Sequence, residues 1–251
     1  MTDALFRAVP PGGDSTSNNG HRLVLFDIDG TLLSAGRVAR DSILTALETA
    51  FGWRATAEHQ NREKYDFSGK TDPQIVRELV LNDIGRERFD AGIASALRLY
   101  LEELERGLAP GTVVPKPGIS PLLARLAAEP NVTLGLLTGN LEPGARLKLA
   151  PPDYNRYFPF GAFGSDSADR YELPRVAVDR ALAHTGRRFE GKSIVIVGDS
   201  VHDVACGRTL GVRAVGVATG ITSLERLGAE SPDAMLADFS DTEQALRAIL
   251  G

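Results

Sequence analysis

Cysteine occurs once in the 251 residues, at Cys206, so no internal disulfide can form and the fold owes nothing to an oxidising compartment. A lone thiol of this kind reads as a small core residue rather than a nucleophile. Long apolar runs are also missing, since none approaches the roughly 18 residues of a membrane-spanning helix. Basic clusters are scarce. The net charge of −5 is spread along the chain, which argues against nucleic acid or an anionic membrane as the main partner. The opening residues lack the basic-then-apolar order of a signal peptide, because Pro10-Pro11-Gly12-Gly13-Asp14 and Ser15 to Gly20 follow almost at once. Residues 1–20 are therefore expected to be a flexible lead-in, and the protein cytoplasmic.

What is present is a 43% hydrophobic content, enough for a full core. Much of it is gathered into short apolar runs that end in polar residues. Leu23-Val24-Leu25-Phe26 is followed by Asp27-Ile28-Asp29-Gly30-Thr31, Val132 to Leu137 by Thr138-Gly139-Asn140, and Ser193 to Val197 by Gly198-Asp199-Ser200-Val201-His202-Asp203. Each run reads as a strand buried on both faces, as in a parallel sheet covered by helices. Val212 to Val217 gives a fourth. Helical periodicity fills the intervals at 119–128, 143–150, 174–184, 204–210 and 240–250. Alternation of this kind predicts an α/β fold with a doubly wound, Rossmann-like parallel sheet.

Residues 36–112 break that alternation. They hold no convincing strand but at least three helical patterns: from Asp41, a plausible cap, to Phe51; from Thr71-Asp72-Pro73 onward; and from about Asp90 to Arg106. An all-helical unit is expected here, inserted after the first strand of a core formed by 21–35 and 113–251. The aromatic segment Tyr154 to Phe163 has no basic stripe beside it and reads as packing.

Ligands of open parallel sheets bind outside the carboxyl ends of the strands, where the polar groups converge. Asp27 and Asp29 stand two apart in a nearly extended chain, so both side chains are expected on one side, where they would repel unless a cation holds them. Asp27, Asp199 and Asp203 offer hard oxygen ligands suited to Mg²⁺, whereas one cysteine and four scattered histidines do not suit zinc. Asp27 could then attack phosphorus, with Asp29 protonating the leaving oxygen and later deprotonating water.

The Asp-x-Asp-Gly-Thr motif at residues 27–31, with Thr138 and the acidic pair Asp199 and Asp203, resembles the haloacid dehalogenase-like superfamily, in its phosphoglycolate phosphatase/β-phosphoglucomutase-like branch. The resemblance implies a phosphoric monoester hydrolase with Mg²⁺ as cofactor and a small phosphorylated metabolite as substrate. Asp27 matches the nucleophile and Asp29 the general acid/base, whose main-chain carbonyl is a further metal ligand. Thr138 matches the hydroxyl that binds the transferring phosphoryl group, beside Gly30, Gly139 and Asn140, and Asp199 with Asp203 the metal-positioning motif. The helical insertion falls where this branch carries a cap. Phe67-Ser68-Gly69-Lys70-Thr71-Asp72 is similar to a cap loop, in which Lys70 would meet an anionic substrate or remain a solvated lysine at a helix start.

One departure stands out. The family places a lysine between the threonine and acidic motifs, yet no lysine occurs between Lys148 and Lys192. Arg170 is the first choice to replace it and Arg175 the second, since a planar guanidinium can serve carboxylate and phosphate alike. His202 reads as a surface residue beside the metal loop. A phosphomutase would use the same residues, and a phosphonatase would ask Lys64 or Lys70 to form a Schiff base. A dehalogenase would not need Asp29. A phospho-acceptor or binding domain is the non-enzymatic alternative, and either a monomer or a homodimer is compatible with the sequence.

Overall fold

The computed structural model describes residues 20–56 and 65–251. The expected lead-in lies outside them except for Gly20, and Lys64 lies outside them too.

The first apolar run forms β1 (Arg22–Phe26), and its neighbours show why it is apolar throughout. It is paired in parallel on one side with β4 (Val132–Leu137) and on the other with β6 (Ile194–Gly198). Alternate residues face opposite layers. Val24 and Phe26 pack with Ile119, Leu122 and Leu126 of the helix Ile119–Ala128 and with Ile249 of the helix Thr242–Leu250. Leu23 and Leu25 pack with Leu173, Ala177 and Ala181 of the helix Leu173–Thr185. Residues 23–26 have no exposed surface, and each such side chain contributes about 1.5–3 kcal/mol relative to exposure. Phe26 also meets Phe158 edge to face, with ring centroids 6.1 Å apart. Cys206 is buried in the second layer, where burial pushes its thiol up to about 12.

The sheet has six strands, all parallel, in the order β5 (Gly161–Ala162), β4, β1, β6, β7 (Arg213–Val217) and β8 (Ala234–Leu236). Two of these were not expected. β5 has two residues and β8 three, too few for a periodic pattern, and each exists only because it lies along a longer neighbour. The consequence for the site lies in the middle of the order: β4, β1 and β6 are adjacent, so the three polar run-ends meet at one edge.

Between β1 and β4 the chain leaves and re-enters the core through a short antiparallel pair, β2 (Leu33–Ser34) and β3 (Val114–Pro115). Among the described residues the intervening α-helices are α1 (Val38–Phe51), α2 (Asp72–Ile84) and α3 (Arg86–Gly107). They bury Ile43, Leu47, Phe51, Val76, Leu79, Val80, Tyr100 and Leu104 against one another, a cluster that Leu141 of the core joins. Thr71 caps α2 by accepting from the Gln74 amide at 3.2 Å. Asp41, expected as a cap, instead lies inside the first turn of α1, because the helix begins at Val38; its exposed carboxylate stands 3.7 Å from Arg37.

The remaining α-helices among the described residues are α4 (Ile119–Ala128), α5 (Glu142–Leu149), α6 (Leu173–Thr185), α7 (Val201–Leu210), α8 (Leu224–Ala229), which was not expected, and α9 (Thr242–Leu250).

Candidate active site

Asp27 directly follows β1, and its amide still donates to Val197 O of β6 at 3.0 Å, so the sheet ladder sets the position of its carboxylate. Gly30 then turns the chain with φ +90°, and a Cβ there would lie 2.4 Å from Asp199 Oδ2. Only glycine lets this turn run so close to the acid. Thr31 Oγ1 donates to Asp199 Oδ1 at 2.9 Å.

Asp203 is aimed by the start of its own helix. In the capping box of α7 the Ser200 amide and hydroxyl both donate to Asp203 Oδ2, at 3.0 and 2.6 Å, which leaves Oδ1 for other work. That oxygen accepts from Arg170 Nη2, and the same nitrogen donates to Asp27 Oδ1 at 3.1 Å. Arg170 opens a short 3-10 turn ahead of α6 and is 3% exposed. The geometry thus brings Arg170 to the carboxylates. Arg175 is exposed on α6 and does not line the cavity.

Asp27, Asp199 and Asp203 each offer an oxygen within 4.8 Å of the others, and all three are buried. Burial pushes the Asp27 carboxyl up to about 7, against the pull of Arg170 and with the help of Asp203 and Asp29. Asp199 is raised as well, by burial and then by Asp27 and Asp203. Three buried acids facing one arginine carry more negative charge than the protein itself offsets. Hard oxygen donors at this spacing, short of positive charge, fit a divalent cation such as Mg²⁺.

Asp29 lines the same cavity as Asp27, as its spacing predicted, but on a cation of its own. Its carboxylate does not share that cluster with Asp27 but pairs with Lys148, whose Nζ donates to Asp29 Oδ2 and to Asn140 Oδ1, each at 2.6 Å. Asn140 Nδ2 donates to the same Asp29 oxygen and to Thr138 Oγ1, both at 2.8 Å. The two aspartates are therefore paired with two separate cations, although Asp29 still contributes to the rise of Asp27. Lys148 had no place in the sequence reading, although a signal existed: it falls with Ala145 and Leu149 on the buried side of α5.

The loop before α2 closes the site from the helical side. Asp72 N donates to Gly139 O, and Asp72 Oδ2 accepts from Leu141 N, both at 2.8 Å. Burial pushes the Asp72 carboxyl up to about 6, with Lys148 and the Leu141 amide opposing. Gly139 has no room for a side chain, since a Cβ would lie 2.0 Å from Lys70 O. Lys70 pairs with Glu78 at 2.6 Å and lies over the Tyr65 ring at 4.5 Å. His202 is partly buried, and its Nδ1 lies 3.0 Å from Tyr171 Oη. A cavity of about 280 Å³ lies between loop and sheet edge. Asp27, Asp29, Gly30, Thr138, Gly139, Asn140, Arg170 and Asp199 line it from the core, with Lys116 and Lys148, while Arg40 and Lys70 reach it from the helical block.

The family model described as haloacid dehalogenase-like hydrolase matches residues 24–208, a span that includes every carboxylate of this site. The chain belongs to that family. Among curated relatives, it is 27% identical to a phosphoglycolate phosphatase of Photorhabdus laumondii subsp. laumondii over 223 residues, covering 88% of this chain and 91% of the relative. It is 25% identical to the pyrophosphatase PpaX of Bacillus pumilus over 234 residues, 91% of this chain and 95% of that one. Among solved structures, CbbY of Rhodobacter sphaeroides in complex with phosphate superposes with a TM-score of 0.69 at 20% identity, over 88% of this chain and 96% of that one. That likeness speaks for the fold. A haloacid dehalogenase-like hydrolase with a doubly wound parallel core and a block of helices after its first strand is what the sequence resemblance had implied.

Proposed function

We propose that this hydrolase is a Mg²⁺-dependent phosphatase acting on a small phosphate monoester through an aspartyl-phosphate on Asp27. The observation that carries the reading is the convergence of Asp27, Asp199 and Asp203 beside Arg170, with Asp29 held on a different cation in the same cavity. One carboxylate set can hold an ion while Asp29 stays outside it to move protons.

Asp27, Asp199 and Asp203 would hold Mg²⁺, joined by the Asp29 carbonyl, and the ion would offset the charge that keeps a carboxylate from a phosphate oxygen. A carboxylate oxygen of Asp27 attacks phosphorus. The bond from phosphorus to the ester oxygen breaks, and that oxygen leaves with a proton from Asp29. Asp29 then takes a proton from water, the hydroxide attacks the same phosphorus, and phosphate departs with Asp27 restored. Thr138 and Asn140 face the transferring group, and Arg170 neutralises Asp27 and Asp203. The helical block, within residues 36–112, acts as a cap that excludes water and reads the leaving group.

Lys116 lines the cavity, donating to the Thr219 main-chain oxygen and paired with no acid among the described residues, and its charge suits a substrate with a second acidic group. The names of the relatives point the same way: phosphoglycolate and pyrophosphate carry one, as does the xylulose-(1,5)-bisphosphate bound to CbbY. The test is phosphate release from p-nitrophenyl phosphate and from a panel containing phosphoglycolate, pyrophosphate, sugar bisphosphates and sugar monophosphates. Activity that needs Mg²⁺ and vanishes in Asp27→Asn is expected, with doubly anionic substrates preferred. Full activity in Asp27→Asn would reject the nucleophile.

A further inference from the structure

Lys148 has no task in the scheme above, yet its placement is costly. It sits on α5 with an exposure of 1%, on the same side as Ala145 and Leu149. Lysine is almost never fully buried unless paired, and taking an ammonium out of water carries a penalty that its partner has to offset. The buried Asp72 feels its charge, but the acid it hydrogen-bonds is not buried. The Asp29 side chain is 42% exposed and stands in the cavity wall. A lysine that served only to join α5 to β1 would gain little by reaching out of the core to a solvated carboxylate.

The hydrogen bonds show what the reach accomplishes. Lys148 Nζ and Asn140 Nδ2 both donate to Asp29 Oδ2, at 2.6 and 2.8 Å, and Lys148 donates also to Asn140 Oδ1 at 2.6 Å. Three side chains thus close a ring about one carboxylate oxygen. Asn140 Nδ2 extends the ring to Thr138 Oγ1 at 2.8 Å. Asp29 Oδ1 receives no hydrogen bond from any described residue.

We propose that Lys148 is a positioning residue for Asp29: with Asn140 it fixes Oδ2, so that Oδ1 is the oxygen that hands a proton to the leaving group and takes one from water. The assignment rests on the reading of Asp29 as acid and base. It also sets the acid in register with Thr138, so one network spaces the proton donor from the residue that faces the phosphoryl group.

The leaving group separates this role from a structural one. p-Nitrophenolate departs without a proton, whereas the alkoxide of an alkyl phosphate needs one, so a misplaced acid slows the second kind of ester selectively. With Mg²⁺ present, Lys148→Met is expected to lower kcat/KM on phosphoglycolate, or another alkyl phosphate the wild type hydrolyses, about 100-fold. The loss on p-nitrophenyl phosphate should be about tenfold or less. The melting temperature should fall by a few degrees at most, since the hydrogen-bonded partner left behind, Asp29, has a side chain 42% exposed. Equal losses on the two esters, no loss, or a loss that tracks unfolding would overturn the assignment and leave the phosphatase reading standing. A wild type inactive on every ester would remove both. Should Lys148→Met fail to melt in a single transition, Lys148→Gln, which is polar but too short to reach Asp29, is held to the same comparison.

Discussion

Arg170 Nη2 bridges Asp27 and Asp203, joining the residue that follows β1 to the first turn of α7 through a guanidinium buried beneath both. Removing one partner from a buried network of this kind leaves uncompensated charge and costs about 3–5 kcal/mol. In a chain of this size, Arg170→Met should lower the melting temperature of the metal-free protein by about 10 °C. Mg²⁺ should recover part of that loss, because a cation among the same acids replaces some of the missing charge. If Arg170 also neutralises the nucleophile in the reaction, kcat/KM falls by about 100- to 1,000-fold even with saturating Mg²⁺. Calorimetry with and without the ion, beside phosphate release, checks both parts. An unchanged melting temperature would mean that the bridge carries no weight.

The raised carboxyls of Asp27 and Asp199 give stability a pH dependence of definite sign. Asp27 moves from an ordinary 3.8 up to about 7, and Asp199 moves the same way. Between those values the folded protein holds protons that the unfolded chain has lost, so stability falls as pH rises. The contribution is complete below the ordinary carboxylate value and gone once pH has passed about 7. Mg²⁺ needs the deprotonated acids, so its stabilising effect should grow over the same interval. Melting curves between about pH 5 and about pH 8 should descend in EDTA and stay flatter with Mg²⁺. A melting temperature in EDTA that rises across this range would contradict the placement of these acids.

Asp27, Thr138 and Asp199 could be placed at one edge from sequence because each ends an apolar run, and such runs in an α/β chain become adjacent parallel strands. Arg170 could be singled out because it precedes a proline and a helix where a cation was wanted. Lys148 escaped notice for a physical reason: a lysine on a helix is by default a solvated residue, and its burial is decided by where α5 packs. The separate fates of Asp27 and Asp29 escaped too. Spacing along an extended chain placed both carboxylates on one side, and both do line the cavity, but it could not assign them to different cations, Arg170 and Lys148. β5 and β8 were invisible because strands of two and three residues are defined by their neighbours.

The seam between the helical block and the core gives the last prediction. Gly139 O accepts from Asp72 N at 2.8 Å, and a Cβ on Gly139 would lie 2.0 Å from Lys70 O and 2.9 Å from Thr71 Cα. These are main-chain atoms, so Gly139→Ala cannot be absorbed by a side-chain rotation and has to lift the loop 67–72. Overpacking of this sort costs about 1–3 kcal/mol, a loss of roughly 3–10 °C in melting temperature. The effect on activity should be larger than that on stability, because Lys70 lines the cavity and α2 starts from the displaced loop. A rise in KM of about tenfold is expected for an alkyl phosphate that the wild type hydrolyses, with a smaller rise for p-nitrophenyl phosphate. Asp72→Asn, which keeps its size, should weaken the bond to Leu141 N without that clash and change KM less. If both variants raised KM alike, the loop's position against Gly139 would not be what shapes the substrate side of the cavity.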